Sequence, residues 1–243
     1  MRVAVTIGVD FAASPRNTAA CHLSWYDGRV VVERLDTEVD DAAFVALLDH
    51  LPQGGRLGID CPLGWPVAFV AALRAHGDRQ PWPARGTAGD RGELVWRATD
   101  RWVRESLGRW PLSVSTDRIG VTALRAAHLL DAWETAGGRL DRSGVSGPVA
   151  EVYPAVARRV WGLGATRSVS EVESRLPIRF AGAAAREACA AGEHAFDALI
   201  AALVARAVAL GHTSHPPADL AGVGAVEGWI HVPTCAVEDL AAP

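Results

Sequence analysis

Residues Val3 to Val9 are small or β-branched almost throughout, and the run stops on an acid, Asp10. Such a run predicts a buried strand that delivers a carboxylate at its C-terminal end. Two further strand-like runs, Ala19 to Trp25 and Val30 to Leu35, flank Tyr26-Asp27-Gly28-Arg29, whose Asp-Gly pair marks a hairpin turn. From Asp40 to Leu51 the period changes: Phe44, Leu47, Leu48 and Leu51 recur at helical spacing behind an acidic first turn, and Pro52 with Gly54-Gly55 ends the helix. The string RLGIDCPLGWP then predicts a short strand, Arg56 to Ile59, ending on a second acid, Asp60. The order is β-β-β-α-β, with an acid closing the first and fourth strands.

From about Arg74 to Trp110 the composition shifts. Eight arginines, five acids and Trp82, Trp96, Trp102 and Trp110 share this stretch with Pro81, Pro83 and several glycines, which reads as an insertion decorating a sheet. Gly120 to Ala136 predicts a helix, with Leu124, Ala127, His128 and Trp133 toward one face and Gly137-Gly138 closing it. A fifth strand is expected at Val149 to Val152. The cleanest apolar face belongs to Glu193 to Leu210, through Phe196, Leu199, Ile200, Leu203, Val204, Ala207 and Leu210. Trp229 to Val232 reads as an edge strand. No internal repeat and no low-complexity linker divides the chain, so residues 1–243 are expected to form one α/β domain.

Composition narrows the function classes. A chain of 243 residues, 49% of them hydrophobic, buries roughly 70–75% of its unfolded surface and needs neither disulfide nor structural metal to fold. Cys21, Cys61, Cys189 and Cys235 are scattered with no CxxC pair, which argues against zinc and for a reducing compartment, the cytoplasm by default. No secretory signal pattern opens the chain. The longest apolar run, Ala198 to Ala205, is far short of the ~20 residues of a membrane span. All 24 basic residues are arginines and the net charge is -4. Tight charge-driven binding of duplex nucleic acid is thereby disfavoured, and any nucleic-acid contact is expected to be local.

Three acids stand where stability alone would not put them: Asp10 and Asp60 end apolar strands, and Asp197 interrupts an apolar helix. A buried carboxylate costs several kcal/mol unless it is paired, hydrogen-bonded or bound to a cation. Two carboxylates ~4 Å apart repel by ~4 kcal/mol at an effective dielectric near 20. A cluster of them therefore favours a divalent cation, and oxygen-only ligands suit magnesium or manganese. The alternative is that each acid caps a helix or pairs with an arginine.

The strings GVDFAAS, IDCPLGWP, RATD with its Arg97-x-x-Asp100 pair, EVYPA, HAFDALIAALVAR and EGWIHVP occur in this order over essentially the whole chain. In them the sequence resembles a bacterial family of predicted RNase H-like nucleases, a domain of unknown function. The resemblance implies a ribonuclease H-like fold, a mixed five-stranded sheet flanked by helices. Locally the chain is similar to RuvC-type Holliday-junction resolvases, which carry an acid on the first strand, another on the fourth, and an H-x-x-D or D-x-x-D on the last helix. These positions match Asp10, Asp60, and His194 with Asp197; Asp60 stands where the RuvC-type enzymes have a Glu. The activity implied is two-metal phosphodiester hydrolysis, with RNA, DNA, a branched junction and a small phosphodiester all open as substrates. Asp10 would bridge the metals, Asp60 and Asp197 would each hold one, and His194, one helical turn before Asp197, would position or deprotonate water.

Other residues carry open alternatives. Glu151 is either a further metal ligand or a partner for Arg97. Arg97 and Asp100 either pair with each other or serve substrate, the planar guanidinium suiting phosphate oxygens. Trp82, between Pro81 and Pro83, is the tryptophan expected to be exposed and able to stack on an unpaired base, the alternative being that these tryptophans form the core of an inserted subdomain. Glu227, before Gly228-Trp229, is either a further site residue or a turn cap, His212-x-x-His215 is a weak zinc pattern, and Ser113, Ser115 and Thr116 before Asp117 are a helix-start signal. Two other functions compete: an actin-like ATPase, for which GVDFAASPRNTA has an acid, Ser14 and Thr18 but lacks the phosphate-loop glycine, and a non-enzymatic scaffold with an idle site.

Overall fold

The computed structural model describes residues 4–83, 88–164 and 166–241. Val3, at the start of the expected first strand, and residues 84–87 of the Arg/Trp-rich segment lie outside the described residues. The apolar runs form the expected strands: β1 (Ala4–Asp10), β2 (Ala19–Tyr26), β3 (Arg29–Thr37), β4 (Arg56–Asp60) and β5 (Val149–Val152). Gly28 closes the hairpin between β2 and β3 with φ +69°, a conformation that favours glycine. Helix α1 (Asp41–Asp49) begins at Asp40, whose side chain accepts from the Ala43 amide at 2.8 Å.

The sheet has seven strands where five were expected. Its order is β6-β3-β2-β1-β4-β5-β7, with β6 spanning Ile178–Phe180 and β7 Ile230–His231. The pairs β1–β2 and β2–β3 are antiparallel; β1–β4, β4–β5, β5–β7 and β3–β6 are parallel. The short β7 lies within the expected Trp229–Val232 edge strand, whereas β6, three residues with an exposed Arg179 at its centre, is too short to show a period.

Between β4 and β5 lie α2 (Val67–Gly77), α3 (Ala88–Val95), α4 (Ala98–Leu107) and α5 (Ile119–Thr135). The Arg/Trp-rich segment is thus helical, and it is more than a decoration, because α4 buries Ala98, Thr99, Asp100 and Val103. After β5 come α6 (Pro154–Val160), α7 (Val169–Arg175), α8 (Ala183–Ala191), α9 (Glu193–Ala209) and α10 (Ala221–Glu227). One sheet face packs on α1 and α5 through Ile7, Val9, Phe44, Leu57, Ile59 and Leu130. The other packs on α9 and its neighbours through Leu23, Trp25, Phe196, Leu199 and Leu203.

Helix α9 is buried on nearly every side, beyond the single apolar stripe its sequence suggests. Two glycines make this possible. Gly8 and Gly58 are register partners on β1 and β4, and a Cβ on them would meet the α9 backbone at 2.0 Å and 2.7 Å. The missing side chains let α9 lie directly on the strands, with the Thr6 hydroxyl donating to the Ala202 carbonyl at 3.0 Å. Among the described residues no single helix is long and apolar enough to cross a membrane; the apolar pair α8 and α9 is bent by 108°.

Candidate active site

Parallel pairing of β1 with β4 sets Asp10 opposite Asp60 in register. Neighbouring strands run ~4.8 Å apart, so both carboxylates leave the same end of the sheet side by side. The close seating of α9 brings its first turn to that end. There His194 Nδ1 lies 2.6 Å from Asp10 Oδ2. One turn further, Asp197 Oδ2 accepts from Arg167 Nη2 at 2.8 Å and Nε at 3.2 Å. Arg167 also pairs with Glu193. The other Asp197 oxygen, Oδ1, is buried and has no hydrogen-bond partner.

The electrostatics follow from this crowding. Burial pushes Asp10 up to about 6, with Asp197 and Glu193 adding to the rise and the hydrogen bond and charge of His194 opposing it. Asp60 is pushed well above the usual carboxylate range, first by burial and then by Asp10, Asp197 and Glu151. Three of the sequence-predicted acids therefore stand within electrostatic reach of one another at one end of the sheet.

The donor chemistry suits a hard divalent cation: oxygens only, one of them buried without a partner, and acids that repel one another in its absence. The oxygens do not form a ready cage. Among the described residues no group of three or more His, Cys, Asp or Glu side chains is arranged to hold an ion. Asp10 Oδ2 is engaged by His194, and Asp197 Oδ2 by Arg167.

Glu151, Arg97 and Asp100 sit deeper. Arg97 is 1% exposed. Its Nε and Nη2 donate to Asp100 at 3.2 and 3.0 Å, its Nη1 and Nη2 to Glu151 at 2.8 and 2.7 Å, and Nη1 to the Glu227 carbonyl at 3.1 Å. Every guanidinium hydrogen is used, so no donor remains for a substrate phosphate, and Asp100 is fully buried with it. The contacts are those of the pairing alternatives. Glu151 also accepts from the Leu63 amide at 3.0 Å, leaving both its oxygens engaged inside the protein. Glu227 holds two helix N-termini at once, accepting from Val67 of α2 and Ala98 of α4 at 2.7 Å each.

Trp82 is exposed, as expected of it, with His76 edge-on at 6.1 Å between centroids. Trp96 and Trp110 stack on each other at 4.4 Å, and Trp102 packs on buried Trp229. Among the described residues His212 and His215 belong to no group of three or more metal-ligating side chains, and His215 meets the ring of His231 edge-on. Helix α5 starts at Ile119, and Ser113 serves a preceding turn, its Oγ accepting from the amides of Ser115 and Thr116. A small cavity of 150 Å³ adjoins Asp60, lined also by Cys61, Pro62, Leu112 and Tyr153. Sequence reasoning missed Arg167, which lies in an aperiodic stretch, GATRSVSE, and is brought to the acids only by the packing of its loop on α9.

A family model described as "Protein of unknown function (DUF429)" matches residues 8–221. Neither a curated protein nor a solved structure matches the chain.

Proposed function

The chain belongs to the DUF429 family, and from its geometry we propose a divalent-metal-dependent phosphodiester hydrolase of ribonuclease H-like type, acting on nucleic acid. The observation that carries this reading is the in-register Asp10–Asp60 pair with Asp197 in electrostatic reach of both. The ribonuclease H-like assignment is supported by an antiparallel β1–β2–β3 hairpin series continued by parallel β4 and β5, with acids closing β1 and β4.

In this reading Asp10, Asp60 and Asp197 would hold magnesium or manganese, which when bound supplies an activated water and charge stabilisation at the leaving oxygen. Asp10 is at once the register partner of Asp60 and the hydrogen-bond partner of His194. His194 is anchored to Asp10 through Nδ1, leaving Nε2 as the ring nitrogen able to take a proton from water. Glu151 is engaged by Arg97, which offsets its charge beside Asp60, and it flanks β4, where Ile59 is its register partner. Exposed Trp82 is a stacking face for an unpaired base. A cytoplasmic setting belongs to the same reading, since the four cysteines are free.

The test is a panel of labelled single-stranded, duplex and branched RNA and DNA, incubated with manganese or magnesium and either the wild-type protein or Asp10→Asn. Cleavage by wild type that Asp10→Asn abolishes supports the reading. Cleavage unaffected by Asp10→Asn, or absence of manganese binding in a calorimetric titration, overturns it.

A further inference from the structure

Arg167 carries charge directly into the acid cluster, from a loop outside every motif that marks the site. Its guanidinium is about one-third exposed and holds Asp197, itself largely buried, through two nitrogens at 2.8 and 3.2 Å, while also pairing with Glu193. Asp197 is one of the acids that repel Asp10 and Asp60. A guanidinium therefore neutralises one of the oxygens a metal needs. The second Asp197 oxygen stays buried and unpartnered, so the carboxylate is only half satisfied by this pairing.

We infer that Arg167 is a tethered counter-cation that competes with divalent metal for Asp197, stabilising the clustered acids and yielding the carboxylate when metal enters. This rests on the metal-site reading of Asp10, Asp60 and Asp197. A divalent metal and the Arg167 guanidinium on the same carboxylate repel each other whichever oxygen the metal takes, so metal binding at Asp197 and the Arg167 pair weaken each other. The released guanidinium keeps a planar fork of donors beside a metal site, the geometry that suits a phosphodiester oxygen. Metal and substrate phosphate would then bind cooperatively, because the metal frees the group that meets the phosphate.

The experiment is a manganese titration by calorimetry of metal-free wild type, Arg167→Gln and Arg167→Lys without nucleic acid, with thermal melts of the same proteins. Arg167→Gln should bind manganese roughly threefold to tenfold more tightly, the scale expected for removing one partly buried ion pair. Arg167→Lys, which keeps the charge but loses the fork, should fall between. Metal-free Arg167→Gln should melt lower than wild type, and in an Asp197→Asn background the change at Arg167 should no longer tighten metal. A purely structural Arg167 would lower the melting temperature without tightening metal. Equal or weaker manganese binding by Arg167→Gln, with wild type still binding, overturns the inference and leaves the metal site standing. If wild type and both variants all fail to bind manganese, the metal-site reading falls and takes the inference with it.

Discussion

A Cβ atom on Gly8 would stand 2.0 Å from the backbone nitrogen of Ala202 and 2.1 Å from the Ala198 carbonyl oxygen. Strand β1 and helix α9 meet backbone to backbone at this point, and neither side has a flexible side chain that can yield. Gly8→Ala must lift the helix that carries His194 and Asp197 off the strand that carries Asp10. The expected loss exceeds ~4 kcal/mol, at the severe end for a single substitution. Chemical denaturation or soluble yield measures it. A well-folded Gly8→Ala protein with unchanged metal affinity would contradict the proposed dependence of the site on this contact.

Asp10 illustrates how clustered, buried acids store instability. Its folded value of about 6 lies above the ordinary 3.8, so the native state holds this proton more tightly than the unfolded chain does. The stability it contributes is fully present below about pH 4 and is lost as pH rises through about 6. Metal-free Asp10→Asn should therefore be more stable than wild type at pH 8, on the order of 2 kcal/mol or roughly 4–8 °C in Tm, and show no such gain at pH 4. Melting curves at the two pH values, recorded with chelator, check the sign.

Around Arg97 the opposite holds, since its charge is fully matched. Removing the guanidinium leaves Asp100 and Glu151 facing each other in the interior, and Arg97→Ala should cost about 3–5 kcal/mol. Arg97→Lys has fewer donors for five acceptor contacts and should recover only part of that. Because Arg97 is 1% exposed, the KM for any nucleic-acid substrate should not change in Arg97→Lys under conditions where the variant remains folded. A large rise in KM with unaltered stability would return Arg97 to the substrate.

His231 is a second pH-dependent element, remote in role from the acids. Its Nε2 donates to the Ser143 carbonyl at 2.8 Å and its Nδ1 accepts from the Thr213 hydroxyl at 2.8 Å, which fits the neutral ring. Burial, with His215 and Arg56 adding to it, pulls its pKa from 6.5 down to about 4. The unfolded chain takes up this proton first, so the contribution is complete above pH 6.5 and is lost as pH falls toward 4. Wild type should lose on the order of 3 kcal/mol more than His231→Gln across that window in urea titrations. Parallel pH profiles for the two proteins would exclude this role.

Sequence alone determined the elements whose signal is local. The apolar runs that make β1 to β5, the Asp-Gly hairpin, the helical period of α1 and α9, and the acids ending β1 and β4 are each written in contiguous residues, and each forms where the pattern lies; α5 forms close to its expected bounds but buries Ala123, Ala126, Leu129 and Leu130 beside Trp133, leaving Leu124 and His128 exposed. Only the tertiary structure decided the rest. The strand β6 exists because β3 offers it an edge, not because three residues prefer it. Gly8 and Gly58 look unremarkable in the sequence until α9 is laid across them. Arg97 faces Glu151 rather than phosphate, Glu227 caps two helices far away in the chain, and Arg167 reaches Asp197 across 30 residues. Periodicity is a property of neighbours along the chain, whereas the partner of a charged side chain is chosen by burial, since a desolvated charge must take whatever opposite charge or dipole the packed fold brings within hydrogen-bonding distance.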